Sequence, residues 1–68
     1  MSHVFAERLK QAREERGMDQ FELAFLSGLT RSALSEYERG RVLPRVDKVI
    51  AIAKILDCTT DFLCGLEN

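Results

Sequence analysis

A short segment, residues 30–39, carries the side chains with the clearest binding chemistry in this chain. Its sequence, TRSALSEYER, places guanidinium, hydroxyl and carboxylate groups around two apolar residues, Leu34 and Tyr37. Because these two residues are three positions apart, they share one face of a helix and can point into a core. The polar residues are left for the other faces, where they can hydrogen-bond with the edges of nucleotide bases.

The residues before this segment predict a second short helix, residues 20–27, joined to it through Gly28. Asp19 is a good N-cap for the earlier helix, and Thr30 is placed to cap the later one. Two helices separated by a tight glycine turn, the second bearing polar side chains, are typical of proteins that place a helix in a DNA groove. The pattern predicts a helix-turn-helix motif over about residues 20–39.

Apolar spacing predicts three further helices, and no segment alternates as a strand would. The first is expected over residues 4–16, the fourth over residues 45–57 and a last short one over residues 60–64. The fourth helix shows an apolar stripe formed by Val46, Val49, Ile50, Ala53 and Leu56. The chain is therefore predicted to be all-α, a five-helix bundle in which residues 1–68 make a single domain.

Charge is unevenly distributed, although the net charge at pH 7 is only −1. Residues 29–45 carry four arginines and two glutamates, whereas the rest of the chain carries six basic and nine acidic side chains. Positive charge is thus concentrated around the predicted groove-binding helix and the loop after it, as expected for a surface that contacts phosphates. A random scatter of charge over a solvated surface is the alternative interpretation.

The chain offers little for metal, cofactor or catalytic chemistry. Cys58, Cys64 and His3 lack the spacing of a zinc site, and the cysteines are expected to be buried or half-buried thiols, with a disulfide or redox role as the alternative. They supply no set of nucleophile, base and orienting residue, so we expect neither an enzyme nor a cofactor. No apolar run approaches the ~20 residues of a membrane span, and the sequence shows no basic-then-apolar signal segment. We expect a soluble, cytoplasmic protein.

Taken together, these residues resemble the lambda-repressor-like, or Cro-type (XRE), helix-turn-helix family. The resemblance covers residues 5–65 and rests on LKQAREERGMDQFELA, SGLTRSALSEYERG and IAKILDCTTDFL, together with Pro44. It implies a compact five-helix DNA-binding domain that reads the major groove of double-stranded DNA with its third helix. It also implies a transcriptional regulator of bacterial or phage origin, expected to be a repressor.

The resemblance further implies roles for individual side chains. Three residues match family positions that point into the major groove: Arg31, Ser32 and Glu36. Six match positions along the phosphate backbone: Gln20, Thr30, Ser35, Arg39, Arg41 and Arg45. Arg31 can reach guanine O6 and N7 in a bidentate contact, whereas Ser32 can pair with several bases. Arg13 and Glu38 match a family ion pair between the first and third helices and are expected to be structural.

Two features allow more than one interpretation. Glu36 either accepts a hydrogen bond from a cytosine amino group or lies at the surface, in solvent or paired with an arginine. The side chains of Phe21, Phe25 and Leu26 either pack against the first helix or the chain ends, or form an exposed patch that binds a protein partner. The second interpretation of this patch would suit a protein-interaction module of the same fold, such as an antitoxin or repressor partner.

One copy of so small a domain would contact about half of an operator and bury roughly 600–1,000 Å². Two copies on half-sites about one helical turn apart would bind more tightly, so we expect a symmetric homodimer. The dimer contact is predicted at the C-terminal end, residues 60–66, through Phe62, Leu63 and Leu66. A monomer in which Phe62 and Leu63 belong only to the core is the alternative.

Overall fold

Five helices are formed by residues 2–67, the part of the chain that the computed structural model describes. In chain order they are α1 Ser2–Glu15, α2 Gln20–Ser27, α3 Arg31–Glu38, α4 Val46–Leu56 and α5 Thr60–Leu63. No strand occurs in these residues. The predicted all-α, five-helix fold is thus confirmed, and the predicted helix-turn-helix corresponds to α2, the turn after it and α3.

The residue before each helix determines how well the helix start is capped, because its side chain either can or cannot accept a hydrogen bond from a free backbone N–H group. Asp19 accepts one from the first turn of α2 at 2.8 Å, and Thr30 accepts one from the first turn of α3 at 3.0 Å. Thr59 does the same for α5 at 3.0 Å. Arg45 precedes α4 without a side-chain cap, because a guanidinium group has no acceptor. The starts of α2 and α3 agree with the sequence prediction.

The core is built from one apolar face of each helix. Six side chains are almost completely buried: Leu9, Leu23, Leu34, Ile52, Leu56 and Leu63. Helix α3 packs mainly on α1 and α2, whereas α5 packs mainly on α1 and α4. Helix α5 thus closes a different part of the fold from the one on which α3 mainly packs.

The apolar stripe predicted for α4 is partly wrong. Val49 is buried as predicted, together with Ala53 and Leu56, but Val46 and Ile50 are 74% and 42% exposed. The buried face instead includes Ile52, which the prediction omitted. The reason is that α4 is apolar on more than one side, so that its spacing alone does not determine which side turns inward. Packing against α2 and α5 decides this.

The three residues predicted for a C-terminal dimer contact differ in exposure, and the prediction is wrong for Leu63. Leu63 is fully buried, so it cannot touch a second copy. Phe62 is half-buried, because the Arg8 guanidinium lies 4.6 Å from the centre of its ring. Arg8 also donates hydrogen bonds to the backbone oxygens of Phe62 and Glu67 at 3.0 and 2.8 Å. Of the three predicted residues, Leu66 alone is exposed, at 76%.

The two cysteines differ in environment and are both free thiols. Cys58 is half-buried as expected, and this burial raises the pKa of its thiol. Cys64 is exposed, contrary to expectation, because it follows the buried Leu63 at the end of α5 and lies outside the core. Within residues 2–67 no group of His, Cys, Asp and Glu is arranged to hold a metal ion. None of the helices in the same range is long and apolar enough to cross a membrane.

Candidate nucleic-acid interface

The turn between α2 and α3 fixes the direction in which α3 leaves the core. Gly28 ends α2 with φ 71°, a left-handed conformation that glycine adopts without steric cost. Leu29 packs against the core and donates its backbone N–H to the oxygen of Ala24 at 2.8 Å. Thr30 then caps α3. Because the turn is held at both ends, α2 and α3 form one rigid unit.

The inner and outer sides of α3 differ as the sequence predicts. Leu34 is fully buried, and Tyr37 is half-buried against the same core. Five polar residues line one shallow depression on the outer side of the helix: Arg31, Ser32, Ser35, Glu36 and Arg39. The structure therefore brings together the three residues predicted to read bases and two of those predicted to contact the phosphate backbone.

Behind α3, a buried ion pair ties the helix to the rest of the fold. The Arg13 guanidinium donates Nε to one Glu38 oxygen at 2.7 Å and Nη2 to the other at 3.1 Å. Their side chains are only 10% and 4% exposed. Arg13 also donates to the backbone oxygen of Met18 at 2.7 Å, and Gln20 donates to Glu38 at 3.0 Å. The hydrogen bond with Glu38 raises the pKa of Arg13, so this network joins α1, α2 and α3 through a permanently charged group.

A second depression continues the surface past the start of α3. It is lined by Arg13, Asp19, Gln20, Phe21 and Arg31. The predicted phosphate ligand Gln20 and the predicted base ligand Arg31 therefore lie beside each other. One N–H of the Gln20 amide is used by Glu38, which fixes the direction of this side chain at the N-terminus of α2. Asp19 and Phe21 were not predicted to belong to this surface, although their position next to Gln20 was a usable signal.

The Glu36 carboxylate lies between two guanidinium groups. Its Oε2 atom is 3.5 Å from Nη1 of Arg39 and 3.8 Å from Nη1 of Arg41. The Glu36 side chain is 37% exposed, and the two arginine side chains are 59% and 64% exposed. Pairs as exposed as these contribute roughly 0–1 kcal/mol, so an approaching phosphate or base can replace either partner. In the protein without DNA, Glu36 is thus paired with arginine, one of the two interpretations given above.

Three exposed arginines follow one another from the end of α3 to the start of α4. Arg39 ends α3, Arg41 lies in the loop and Arg45 directly precedes α4. With Arg31 at the start of α3, these side chains place positive charge on both ends of the polar helix face. Such an arrangement suits a polyanion that runs past both ends of the helix.

The apolar residues on the outer side of α2 are exposed. Phe21, Phe25 and Leu26 expose 68%, 76% and 47% of their surfaces. The interpretation that they pack against α1 or the chain ends is therefore wrong, and the exposed patch is present. The reason is that the inward side of α2 is already filled by Leu23 and Ala24, both almost fully buried.

Comparison with known proteins agrees with this geometry. The family model HTH_3, described as helix-turn-helix, matches residues 9–63. The chain is 37% identical over 60 residues to the SPbeta prophage-derived uncharacterized HTH-type transcriptional regulator YonR of Bacillus subtilis (strain 168), which covers 88% of this chain and 56% of that protein.

Among the solved structures that are similar, two match almost the whole domain. The restriction-modification controller protein C.AhdI from Aeromonas hydrophila superimposes with a TM-score of 0.86 at 35% identity, covering 91% of this chain and 94% of that one. The P22 c2 repressor in complex with synthetic operator 9T superimposes with a TM-score of 0.88 at 27% identity, covering 93% and 96%.

The fold and its exposed polar helix thus define a domain of the kind found in HTH-type transcriptional regulators. The chain belongs to the helix-turn-helix family HTH_3, whose model spans residues 9–63. This match confirms the resemblance to lambda-repressor-like proteins. The chain spans about half the length of the curated relatives it matches, with 56% of YonR covered.

Proposed function

We propose that this chain binds double-stranded DNA in a sequence-specific way as a transcriptional regulator, expected to be a repressor. The observation that carries the proposal is the outer side of α3, where Arg31, Ser32 and Glu36 share one exposed depression. A polar helix face that rests on a rigid core is what direct reading of a major groove requires. The similar P22 c2 repressor was solved with a synthetic operator, which further supports the proposal.

The side chains divide by the part of DNA that they would contact. In the first turn of α3, Arg31 reads guanine O6 and N7, and Ser32 pairs with more than one base. Six residues contact the phosphate backbone and position the domain: Gln20, Thr30, Ser35, Arg39, Arg41 and Arg45. The proposal uses no metal, cofactor or catalytic residue. Action on DNA would place the protein in the cytoplasm of a bacterial or phage-infected cell.

Salt dependence tests the proposal. The logarithm of the affinity for a duplex is expected to fall linearly with the logarithm of salt concentration, since each neutralised phosphate releases counterions. Arg45→Ala is expected to reduce the slope by about one, because Arg45 is exposed and caps nothing. Fluorescence anisotropy of a labelled duplex measures both quantities.

The matched control is Lys10→Ala, which removes an exposed positive charge from the outer side of α1. Its slope should equal that of the unmodified protein, since Lys10 lies outside the proposed interface. An affinity that does not respond to salt, or an equal loss of slope in both variants, would contradict the proposed phosphate contacts.

We further propose that Glu36 contributes to base recognition. On DNA, phosphates would attract Arg39 and Arg41, and the released carboxylate would accept a hydrogen bond from a cytosine amino group. Glu36→Gln is therefore expected to change the preferred base at one operator position, because an amide favours adenine. Binding sites selected from random duplexes by both proteins give the comparison. If every position keeps its preferred base, Glu36 reads none.

A second candidate function is a protein-interaction module, such as an antitoxin or repressor partner. It is favoured by the exposure of Phe21, Phe25 and Leu26, which form an apolar patch on α2. Salt discriminates between the two functions. Binding to DNA weakens steeply as salt rises, whereas an apolar protein contact hardly changes. Phe25→Glu would abolish partner binding in the second case and leave affinity for DNA unchanged in the first.

We also propose that two copies act together as a homodimer on two half-sites, since one domain of this size buries too little surface on DNA for tight binding. Of the residues predicted for the dimer contact, Leu63 is buried and Phe62 is partly covered by Arg8, whereas Leu66 is exposed and stays available for it.

A further inference from the structure

The exposed apolar patch on α2 is not uniform, because one of its three residues borders the candidate nucleic-acid interface. Phe21 lines the depression that also contains Gln20 and Arg31, a proposed phosphate ligand and a proposed base ligand. Phe25 and Leu26 lie outside this depression. Phe21 therefore belongs to both surfaces, and its role can be separated from that of the other two apolar residues.

We propose that Phe21 contacts DNA directly, with its aromatic ring packed against a deoxyribose of the strand whose phosphate Gln20 binds. This inference rests on the proposed function. It adds an apolar contact to an interface that otherwise consists of charged and polar groups, and it assigns Phe21 to DNA rather than to a protein partner.

The position of Phe21 in α2 supports this contact. When the second helix of a helix-turn-helix lies in the major groove, the first helix crosses the sugar-phosphate backbone. Phe21 is the second residue of α2 and directly follows Gln20. The hydrogen bond from Gln20 to Glu38, at 3.0 Å, holds this end of α2 against α3. The exposed ring at the start of α2 therefore lies beside the DNA backbone when α3 occupies the groove.

The charges around Phe21 favour a sugar rather than a phosphate as its partner. Asp19 lines the same depression, and Glu22 is the next residue along the chain; both are exposed. The Asp19 carboxylate is fixed in place, because it accepts the backbone N–H of Glu22 at 2.8 Å. Carboxylates repel phosphates, whereas an uncharged deoxyribose meets no such repulsion and gains dispersion contacts with the ring.

A contact of this kind has a recognisable effect on affinity. The Phe21 side chain is 68% exposed in the protein without DNA, so most of its apolar surface is available for burial. Such burial strengthens binding without neutralising a phosphate, and so without releasing a counterion. Every nucleotide carries a deoxyribose, so the gain does not depend on base sequence. Phe21 therefore raises affinity for all duplexes and leaves the salt slope unchanged.

Phe21→Ala is expected to raise the dissociation constant for DNA roughly three- to tenfold. The factor should be the same for the selected operator and for a duplex that lacks it. The slope of log affinity against log salt concentration should equal that of the unmodified protein. Anisotropy of both labelled duplexes over a range of salt concentrations measures all three quantities. Because the ring is exposed and alanine favours a helix, the variant should melt normally.

The matched control is Phe25→Ala. Phe25 has the same side chain, is 76% exposed and lies about one turn, or ~6 Å, further along α2 from the depression. Its replacement should leave both dissociation constants unchanged. The proposal is overturned by unchanged affinity in Phe21→Ala, by an equal loss in both variants, or by a reduced salt slope in Phe21→Ala.

Tryptophan fluorescence supplies an independent readout, because the chain contains no tryptophan of its own. The emission of a Phe21→Trp protein is expected to shift to shorter wavelength when saturating unlabelled duplex is added, since the ring leaves water. The emission of a Phe25→Trp protein should stay unchanged. A shift in the Phe25→Trp protein alone, or in neither protein, would contradict the contact.

Failure of the proposed function would give a different result. The unmodified protein would then bind no duplex at any salt concentration. If the unmodified protein binds DNA in a salt-dependent way and Phe21→Ala binds equally well, the proposed function stands and only this inference fails. Phe21 would then belong with Phe25 and Leu26 to a surface for a protein partner.

Discussion

Arg13→Ala is expected to lower the free energy of unfolding by about 3–5 kcal/mol, because it leaves a buried carboxylate without its cation. The Glu38 side chain is only 4% exposed and would keep just its hydrogen bond from Gln20. A domain of this size has a stability on the order of 5 kcal/mol. The variant should therefore lose cooperative melting, measured by circular dichroism, and binding to DNA together with it.

Two further variants test whether the buried, unpaired charge of Glu38 causes the loss of stability in Arg13→Ala. Arg16→Ala removes a hydrogen bond to the backbone oxygen of Leu56 and an ion pair with Asp57 in which the two side chains are 46% and 86% exposed. Its cost should be about 1–2 kcal/mol, less than that of Arg13→Ala. Arg13→Met combined with Glu38→Leu removes both charges and should be more stable than Arg13→Ala alone. A normal melting curve for Arg13→Ala would refute the structural role of the pair.

Arg31→Ala is expected to weaken binding to the selected operator roughly 5- to 150-fold, the equivalent of about 1–3 kcal/mol, with no change in the melting curve. The side chain is exposed at the start of α3, so the fold does not need it. The base preference at one operator position should relax at the same time. Anisotropy gives the affinity, and selection from random duplexes gives the preference.

Arg31→Lys separates charge from hydrogen-bond geometry. Lysine keeps the positive charge but cannot form the bidentate contact with guanine, so non-specific affinity should persist while the base preference is lost. If Arg31→Ala binds the selected operator as tightly as the unmodified protein, and with the same preference at every position, Arg31 does not read DNA.

The helix-turn-helix could be predicted closely from the sequence because its determinants are local. Asp19 and Thr30 cap the helices that directly follow them, and Gly28 supplies the left-handed turn residue between the two helices. Leu34 and Tyr37 are the large apolar residues of a mostly polar helix and share one face, so only one orientation of α3 turns both toward the core. Local chemistry and packing therefore agree over this part of the chain.

The second half of the fold could not be predicted in the same detail, because several helix faces there are apolar. In α4, Val46 and Ile52 are both large apolar residues, so their residue types do not show which of them is buried. Contact with α2 and α5 buries Ile52. Phe62 is covered by Arg8, which is distant in sequence. The spacing of apolar residues carries no information about such long-range contacts.

The candidate site, like the fold, could be predicted from the sequence only in part. The residues that share the outer face of α3 follow from helical periodicity, and the structure places them in one depression. The pairing of Glu36 with Arg41 depends on the path of the loop after α3, and the exposure of Phe21 and Phe25 depends on what fills the inner side of α2. Neither follows from local spacing. The family resemblance predicts which positions contact DNA. The residue type at each of those positions, and so the contact it can make, is specific to this chain.

Titration of the 15N-labelled protein with a duplex in dilute buffer tests most directly whether the outer face of α3 and the loop after it contact DNA. The largest changes in amide chemical shift are expected in residues 30–45, with smaller ones at the start of α2 around Gln20. Largest changes on the outer side of α1 or around Phe25, or no change with any duplex, would contradict the account.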